Sequence, residues 1–426
     1  MKDVFKTLIS DFIKSPLPEL VDRNIPMPDE SSFAVSLIGA RRTGKTFLMF
    51  SHIRKLRQQF EDTRLVYINL EDDRLWTSGQ PDLALFRDAY YELYPENLNI
   101  AVWFYFDEVQ AVPGWERFIR RLLDTQNCHI FVTGSSSSLM SKEISTLLGG
   151  RTLSINVLPF SFAEYLSWRK IEPDTVSTRG KTLVKSAFDD FLAGTSLPGM
   201  MALEPYFRQR ALQDYLDLIM FKDIAERFRV DNYPLLKRLL FFLIANSANL
   251  ISINKIFADF SSQGLSLSKN TLYQYTGYLE AAGILNLLPI FSSNQRVQAR
   301  NPYKVMVIDH GLKNLISLQP DRGRNLETLV YWQLRRHTTQ ICYWKNTHET
   351  DFVYQGKDRI ELINVCADLS RPETQKRELD SLAGAMRKFN TNQAKIITLD
   401  KDASLETDTG QASIVSFWKW ALNQHQ

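Results

Sequence analysis

The sequence predicts an α/β protein: a parallel sheet with crossover helices in the N-terminal third, a helical middle, and a second α/β region at the C-terminus. Three observations carry this. Phe33, Val35, Leu37 and Ile38 read as a buried strand that runs through a glycine-containing loop into a helix, where Phe47, Leu48, Phe50 and Ile53 recur at helical spacing. Val102 to Glu108, VWFYFDE, is a run of large apolar residues ending in two carboxylates, as in a central parallel strand whose C-terminal end meets a ligand. Tyr233 to Ala245, Ile253 to Phe260 and Ser268 to Ala282 read as three helices, followed by an apolar hairpin-like pair that begins at Ile284.

The first loop, Gly39-Ala40-Arg41-Arg42-Thr43-Gly44-Lys45-Thr46, fits the phosphate-binding pattern G-x-x-x-x-G-K-[ST] at every fixed place. Its glycines let the backbone turn tightly so that N–H groups face phosphate oxygens, and the positive end of the next helix adds to the attraction. Lys45 is expected to reach the β- and γ-phosphates of ATP, and the Thr46 hydroxyl to ligate Mg²⁺. Phe47, the next residue, is counted with the nucleotide-contacting positions.

Composition sets the outer bounds. A chain of 426 residues exceeds the roughly 250 to 300 at which one core stops growing, so several domains are expected. With 51 basic and 48 acidic residues the net charge is +3, too small to make the whole molecule a nucleic-acid binder. No apolar run approaches the ~20 residues of a membrane span, and Asp3 and Asp11 interrupt the apolar N-terminus, so no signal peptide is expected. Three distant cysteines and six scattered histidines form no ligand spacing, which points to a reducing, cytoplasmic setting.

In chain order, residues 1–30 read as an amphipathic helix and a proline-rich linker. Arg64 to Leu70 is a second strand, ending at Glu71-Asp72-Asp73 near the expected ligand edge. At the end of the next strand Asp107 would hold the Mg²⁺ shell and Glu108 would polarise the attacking water. Trp115 to Thr125 is a helix, with Arg117, Arg120 and Arg121 on a solvated face. His129 to Thr133 is a further strand, and Thr133 and Ser135 at its tip are candidates for sensing phosphate. Arg151, after Gly149-Gly150, has two readings: a finger presented to the γ-phosphate of a neighbouring subunit in a homo-oligomer, or a structural ion pair.

GARRTGKT, VYINLEDDRL, WFYFDEVQAVPGWERFIRRL, VTGSSSSLM and GGRTLSINVLPFSFAEYL, in this order, resemble the prokaryotic AAA+ ATPase family that pairs this module with a C-terminal domain of unknown function, of the 4143 type. The resemblance covers about Val35 to Leu166. It implies a P-loop NTPase fold with a RecA-like parallel sheet, ATP binding and a helical lid opening near TSLPGM, Thr195 to Met200, but no substrate. On this basis the ATPase core is expected over 31–170 and the lid and junction over 171–230; the three helices with their apolar pair read as a winged-helix-like domain over 231–295, and the order of elements after it as a restriction-endonuclease-like domain over 296–426.

In a winged helix the third helix, here with Ser268 as cap and Gly283 as stop, would present Lys269, Asn270, Gln274 and Tyr278 to a DNA major groove. That helix is nearly neutral, which argues instead for protein contact or packing, so DNA and protein both stand as candidate partners. Farther on, Glu327, Asp351 and the strand Ile360 to Cys366 resemble the restriction-endonuclease-like order, but the positions of its E-x-K pair hold Asn364 and Cys366. An amide and a thiol supply neither the carboxylate nor the cation, so the domain is expected to be a degenerate nuclease. The function expected from the sequence is ATP hydrolysis driving a conformational change in a DNA- or protein-associated process. The alternatives are a nucleotide-gated switch with negligible turnover and an ATP-dependent nuclease.

Overall fold

Five apolar runs form one parallel sheet: β1 (Ala34–Ile38), β2 (Leu65–Asn69), β3 (Val102–Asp107), β4 (Cys128–Thr133) and β5 (Thr152–Asn156), in the order β2-β3-β4-β1-β5. Every residue of β1 and β3 is buried, which is why these segments read as continuous apolar runs rather than alternating ones. Phe33 departs from the expected strand: the strand starts at Ala34, and the Phe33 side chain is exposed. Because β4 lies between β3 and β1, the end of β4 at Thr133 falls between the P-loop and Asp107.

The computed structural model describes residues 1–77, 79–134, 146–317 and 321–423, and the chain divides into two units, Met1–Leu158 and Pro159–Gln426. In the first unit α1 (Lys2–Lys14) buries Phe5, Leu8 and Ile9, and Phe5 meets Phe86 of α3 (Leu83–Leu93) edge to face at 5.7 Å. The helix α2 (Lys45–Leu56) follows the P-loop. On α4 (Trp115–Thr125) Trp115, Phe118, Ile119 and Leu122 face the core while Arg117, Arg120 and Arg121 face solvent.

The second unit opens on a capping box, in which Ser161 and Glu164 satisfy each other's backbone N–H groups at the start of the helix Phe162–Trp168. The segment TSLPGM contains a short helical turn at Pro198–Met201, and Asp309 holds its first residues by accepting from the Thr195 hydroxyl and the Ser196 amide. The helix Pro205–Leu218 passes into a π-helical stretch over Ile219–Glu226.

Next come the helix Tyr233–Ala245, β6 (Leu250–Ile251), the helices Ile253–Ser262 and Lys269–Ala281, β7 (Leu285–Leu288) and β8 (Tyr303–Val307), with the antiparallel order β6-β8-β7. Ser268 caps the helix Lys269–Ala281 by accepting from Thr271 N–H, and Gly283 follows its end with φ +70°. Lys269, Asn270 and Gln274 are exposed, as expected, but Tyr278 is not free: its ring stacks on Phe228 with centroids 4.0 Å apart. Tyr273 is the exposed aromatic on this helix.

The chain then builds a six-stranded mixed sheet from β9 (Ile341–Lys345), β10 (Glu349–Gln355), β11 (Ile360–Val365), β12 (Gln393–Thr398), β13 (Ala403–Thr407) and β14 (Gly410–Ser416). Its order is β13-β14-β12-β11-β10-β9, with an antiparallel meander over β9 to β11 and parallel pairing through β11, β12 and β14. The helix Arg322–Leu334 precedes it, and the helix Pro372–Phe389 provides the crossover between β11 and β12. Among the described residues no helix is long and apolar enough to cross a membrane.

Candidate functional site

The P-loop leaves β1 at a point where only glycine fits: a Cβ on Gly39 would lie 2.3 Å from the Val157 carbonyl oxygen. Arg42 (φ 62°) and Gly44 (φ 94°) are left-handed, which curls the loop so that Gly44 caps α2. Inside the loop the Thr43 hydroxyl donates to Ala40 O at 2.9 Å. Lys45, although cationic, is buried, and its ammonium donates to the carbonyls of Gly39 (3.1 Å) and Ala40 (3.2 Å).

The end of β3 faces this loop. The Thr46 hydroxyl donates to Asp107 Oδ2 at 2.7 Å and the Tyr67 hydroxyl to the same oxygen at 2.8 Å, while the Thr133 hydroxyl donates to Asp107 Oδ1. Thr133 also accepts from Glu108 N–H at 3.0 Å, so one side chain fixes both acidic residues. Glu108 has a left-handed backbone (φ 53°), which turns its side chain away from the strand direction, and Gln110 Nε2 donates to its Oε2 at 2.6 Å. Burial raises the Glu108 pKa above the usual carboxylate value; the charges of Asp107 and Glu71 add to this, and Lys45 and the Gln110 hydrogen bond oppose it. The Tyr67 hydroxyl is held neutral, first by burial and then by the adjacent Asp107 charge.

The structure therefore brings Lys45, Thr46, Asp107, Glu108 and Thr133 together. A hydroxyl and a carboxylate side by side form a hard-oxygen donor pair, which suits Mg²⁺, an ion that keeps several waters and takes few protein ligands. Phe47 turns its ring outward at 51% exposure, so only its backbone position on the first turn of α2 remains near the phosphate cradle. Arg151 forms an ion pair with Asp124 at the end of α4, both side chains half-exposed. Ser135 lies outside the described residues. The sequence reading missed Tyr67 and Gln110. Only the first carried a signal, a polar-tipped aromatic in a strand neighbouring β3.

The C-terminal carboxylates lie in the second unit on a cleft of about 710 Å³. Glu327 and Asp351 converge there as expected, with Glu349 beside them, but all three meet Lys304 of β8: its ammonium is 2.7 Å from Glu327, 2.7 Å from Glu349 and 2.8 Å from Asp351. Burial alone would push the Lys304 pKa down, yet the charges of Asp351, Glu327 and Glu349 outweigh it and hold the amine well above its ordinary value. Burial raises Glu327 to about 8 against the pull of Lys304. Asn364 lies in the cross-strand position beside Asp351, accepting from Asp351 N–H at 3.3 Å and donating to Glu378 at 2.7 Å. Cys366 is buried, which pushes its thiol up to about 11. Among the described residues no group of three or more His, Cys, Asp or Glu side chains is arranged to hold a metal ion.

Comparison with known proteins bears on this geometry. A family model described as an AAA domain matches residues 31–166, and one described as a domain of unknown function, numbered 8612, matches residues 200–322. An uncharacterised protein of Methanocaldococcus jannaschii is 32% identical over 99% of this chain and 96% of its own length. An uncharacterised Haemophilus influenzae protein is 26% identical over 80% of this chain and 84% of its own. A solved structure of the Aeropyrum pernix Orc1 protein in complex with DNA is 13% identical, covering 75% of this chain and 91% of that one with a TM-score of 0.30. With an AAA-domain match over the P-loop unit and a relative aligned along nearly its whole length, the chain belongs to the AAA+ ATPase family whose members join this domain to a C-terminal domain of unknown function.

Proposed function

We propose that the chain binds ATP with Mg²⁺ and hydrolyses it, using the cycle to drive a conformational change in a DNA- or protein-associated process. The observation that carries this is the 2.7 Å hydrogen bond between Thr46 and Asp107, which sets the two expected metal-holding oxygens together beside Glu108. Lys45 would exchange the carbonyls of Gly39 and Ala40 for β- and γ-phosphate oxygens, and the backbone of Gly39 to Thr46 would cradle the phosphates. Thr46 and Asp107 would hold Mg²⁺, which when bound neutralises charge on the transferring phosphoryl group. Glu108, with its raised pKa, would orient the attacking water and take its proton. Thr133, donating to Asp107 and accepting from Glu108 N–H, would keep both acids in place.

The test is Lys45→Ala. It should abolish ATP binding, measured by titration calorimetry, while far-UV circular dichroism and melting show a folded chain. Nucleotide affinity equal to that of the parent would overturn the assignment. One observation favours a second reading, a nucleotide-gated switch with negligible turnover: the Gln110 amide already occupies Glu108 Oε2 at 2.6 Å. Steady phosphate release that Gln110→Ala does not change would discard it.

For the second unit, the order helix, strand, two helices, strand, short helix (Gln295–Arg300) and strand, with pairing β6-β8-β7, supports a winged helix that runs past the expected end at residue 295 to about 307, because β8 completes its sheet. Its exposed Lys269, Asn270, Tyr273 and Gln274 are the residues we assign to a DNA or protein partner. The sheet β9 to β14 with Glu327 and Asp351 supports a restriction-endonuclease-like origin. The Lys304 ammonium already sits between those carboxylates, and Asn364 and Cys366 supply no E-x-K pair, so we assign no cleavage to it.

A further inference from the structure

Arg23 comes from the proline-rich segment between α1 and β1, which has no regular structure, yet it ends on the P-loop. One arm of its guanidinium donates to Thr43 O and the other to Leu158 O, each at 2.6 Å. A third observation places it against the same turn: a Cβ built on Gly44 would lie 3.4 Å from Arg23 Nη1. Short, charge-assisted contacts of this kind are roughly twice as strong as neutral hydrogen bonds, and the planar fork delivers two at a fixed spacing.

The peptide plane connects this contact to phosphate binding. The carbonyl of residue 43 and the N–H of Gly44 belong to one trans peptide and point in opposite directions. Holding Thr43 O against Arg23 therefore aims the Gly44 N–H away from Arg23. The left-handed Gly44 (φ 94°) supplies the turn, but a glycine by itself is free to rotate away. The second arm grips Leu158 O, one residue past Val157, whose carbonyl packs on Gly39 and whose N–H donates to Ile38 O at 2.7 Å. Both ends of the loop are thus braced through one side chain.

We infer that Arg23 is a positioning residue for nucleotide binding, fixing the peptide between Thr43 and Gly44 so that its N–H faces the phosphates. The inference rests on the ATP-binding reading above. It predicts a defect in affinity with little change in the rate of the bound complex, because the Arg23 hydrogen bonds to Thr43 O and Leu158 O act on the cradle.

The experiment uses the full chain with Arg23→Ala, Arg23→Lys and Lys45→Ala, titrated with ATP and with ADP. Arg23→Ala should weaken both nucleotides by on the order of tenfold, the scale of one charge-assisted hydrogen bond. Turnover at saturating ATP should stay within about twofold, since uniform binding is what is lost. Arg23→Lys, a point charge able to hold one carbonyl, should recover part of the affinity. Should the alanine variant not fold, the lysine variant carries the test, with a loss between parent and tenfold. Parent-like affinity in Arg23→Ala, with Lys45→Ala unable to bind, would overturn the inference and leave the ATPase reading standing. Equal losses in affinity and saturated rate would overturn it as well, by showing a general structural role. A parent chain that binds neither nucleotide would overturn the reading beneath it.

Discussion

The two carboxylate clusters of this chain are built on opposite principles. In the first unit Asp107 takes its hydrogen bonds from the hydroxyls of Thr46, Tyr67 and Thr133, and Glu108 takes one from the Gln110 amide. Neutral donors orient a carboxylate without cancelling its charge, so the acids keep their attraction for an incoming cation. In the second unit Glu327, Glu349 and Asp351 surround the buried ammonium of Lys304. There the cation is part of the polypeptide. Similar acidic residues thus serve a reaction in one place and a fold in the other, and the difference lies in what holds them.

The largest effect is expected where the charge is internal. Lys304→Met should destabilise the second unit by about 3–5 kcal/mol, because it leaves buried carboxylates without a counter-ion. Its pH dependence has a defined sign. Glu327, with its pKa raised to about 8, contributes stability that is fully present below its unfolded pKa and is lost as pH rises through about 8. Removing Lys304 takes away the charge that opposes the rise in the Glu327 pKa, so the deficit should be greatest near pH 8 and should shrink toward pH 5. Denaturant unfolding at the two pH values measures this; a pH-independent loss below about 1 kcal/mol would show solvated carboxylates and erase the contrast between the clusters.

Glu108→Gln comes next. It should retain ATP binding while slowing phosphate release by about a hundredfold, the contribution of a positioned base. In the parent, turnover should fall on the acid side with an inflection above the ordinary carboxylate range, since burial raises the Glu108 pKa. The same shift gives stability that is present at low pH and lost as pH rises through the raised value. Glu108→Gln should therefore melt higher than the parent at alkaline pH and lose that advantage in acid. Parent-like turnover would move the water-orienting role to another residue.

What could be read from the sequence follows the range of the contacts. The P-loop, the strand ending at Asp107 and the Ser268 cap depend on neighbours within a few residues, and all three stand where the sequence places them. Tyr67, Arg23 and Lys304 depend on partners far along the chain, 40 residues away for Tyr67, 20 and 135 for Arg23, and 23 and 47 for Lys304 in the hydrogen bonds quoted. Lys304 did leave a trace, a lysine opening the apolar run KVMV of β8, where a cation needs a buried partner. Tyr278 shows the converse limit: helical spacing predicts which face a residue lies on, but not that Phe228 will cover that face. Phe33 similarly has the right residue type for a strand but lies one residue before it begins.

The smallest effect tests whether the nucleotide site is complete within one chain. Arg151 and Asp124 form an ion pair whose side chains are 52% and 54% exposed, and such pairs contribute no more than about 1 kcal/mol. Arg151→Ala should therefore shift stability by less than that. If the pair is Arg151's whole role, turnover per chain should also stay unchanged and be independent of protein concentration. A finger acting across subunits predicts the opposite: Arg151→Ala loses turnover, parent activity rises with concentration, and mixing Arg151→Ala with Lys45→Ala chains restores part of the rate by joining one intact cradle to one intact arginine. The exposed pair with Asp124 favours the first outcome. Rescue on mixing would reverse it, and would mean that the acids oriented by Thr46, Tyr67 and Thr133 await a second chain as well as a cation.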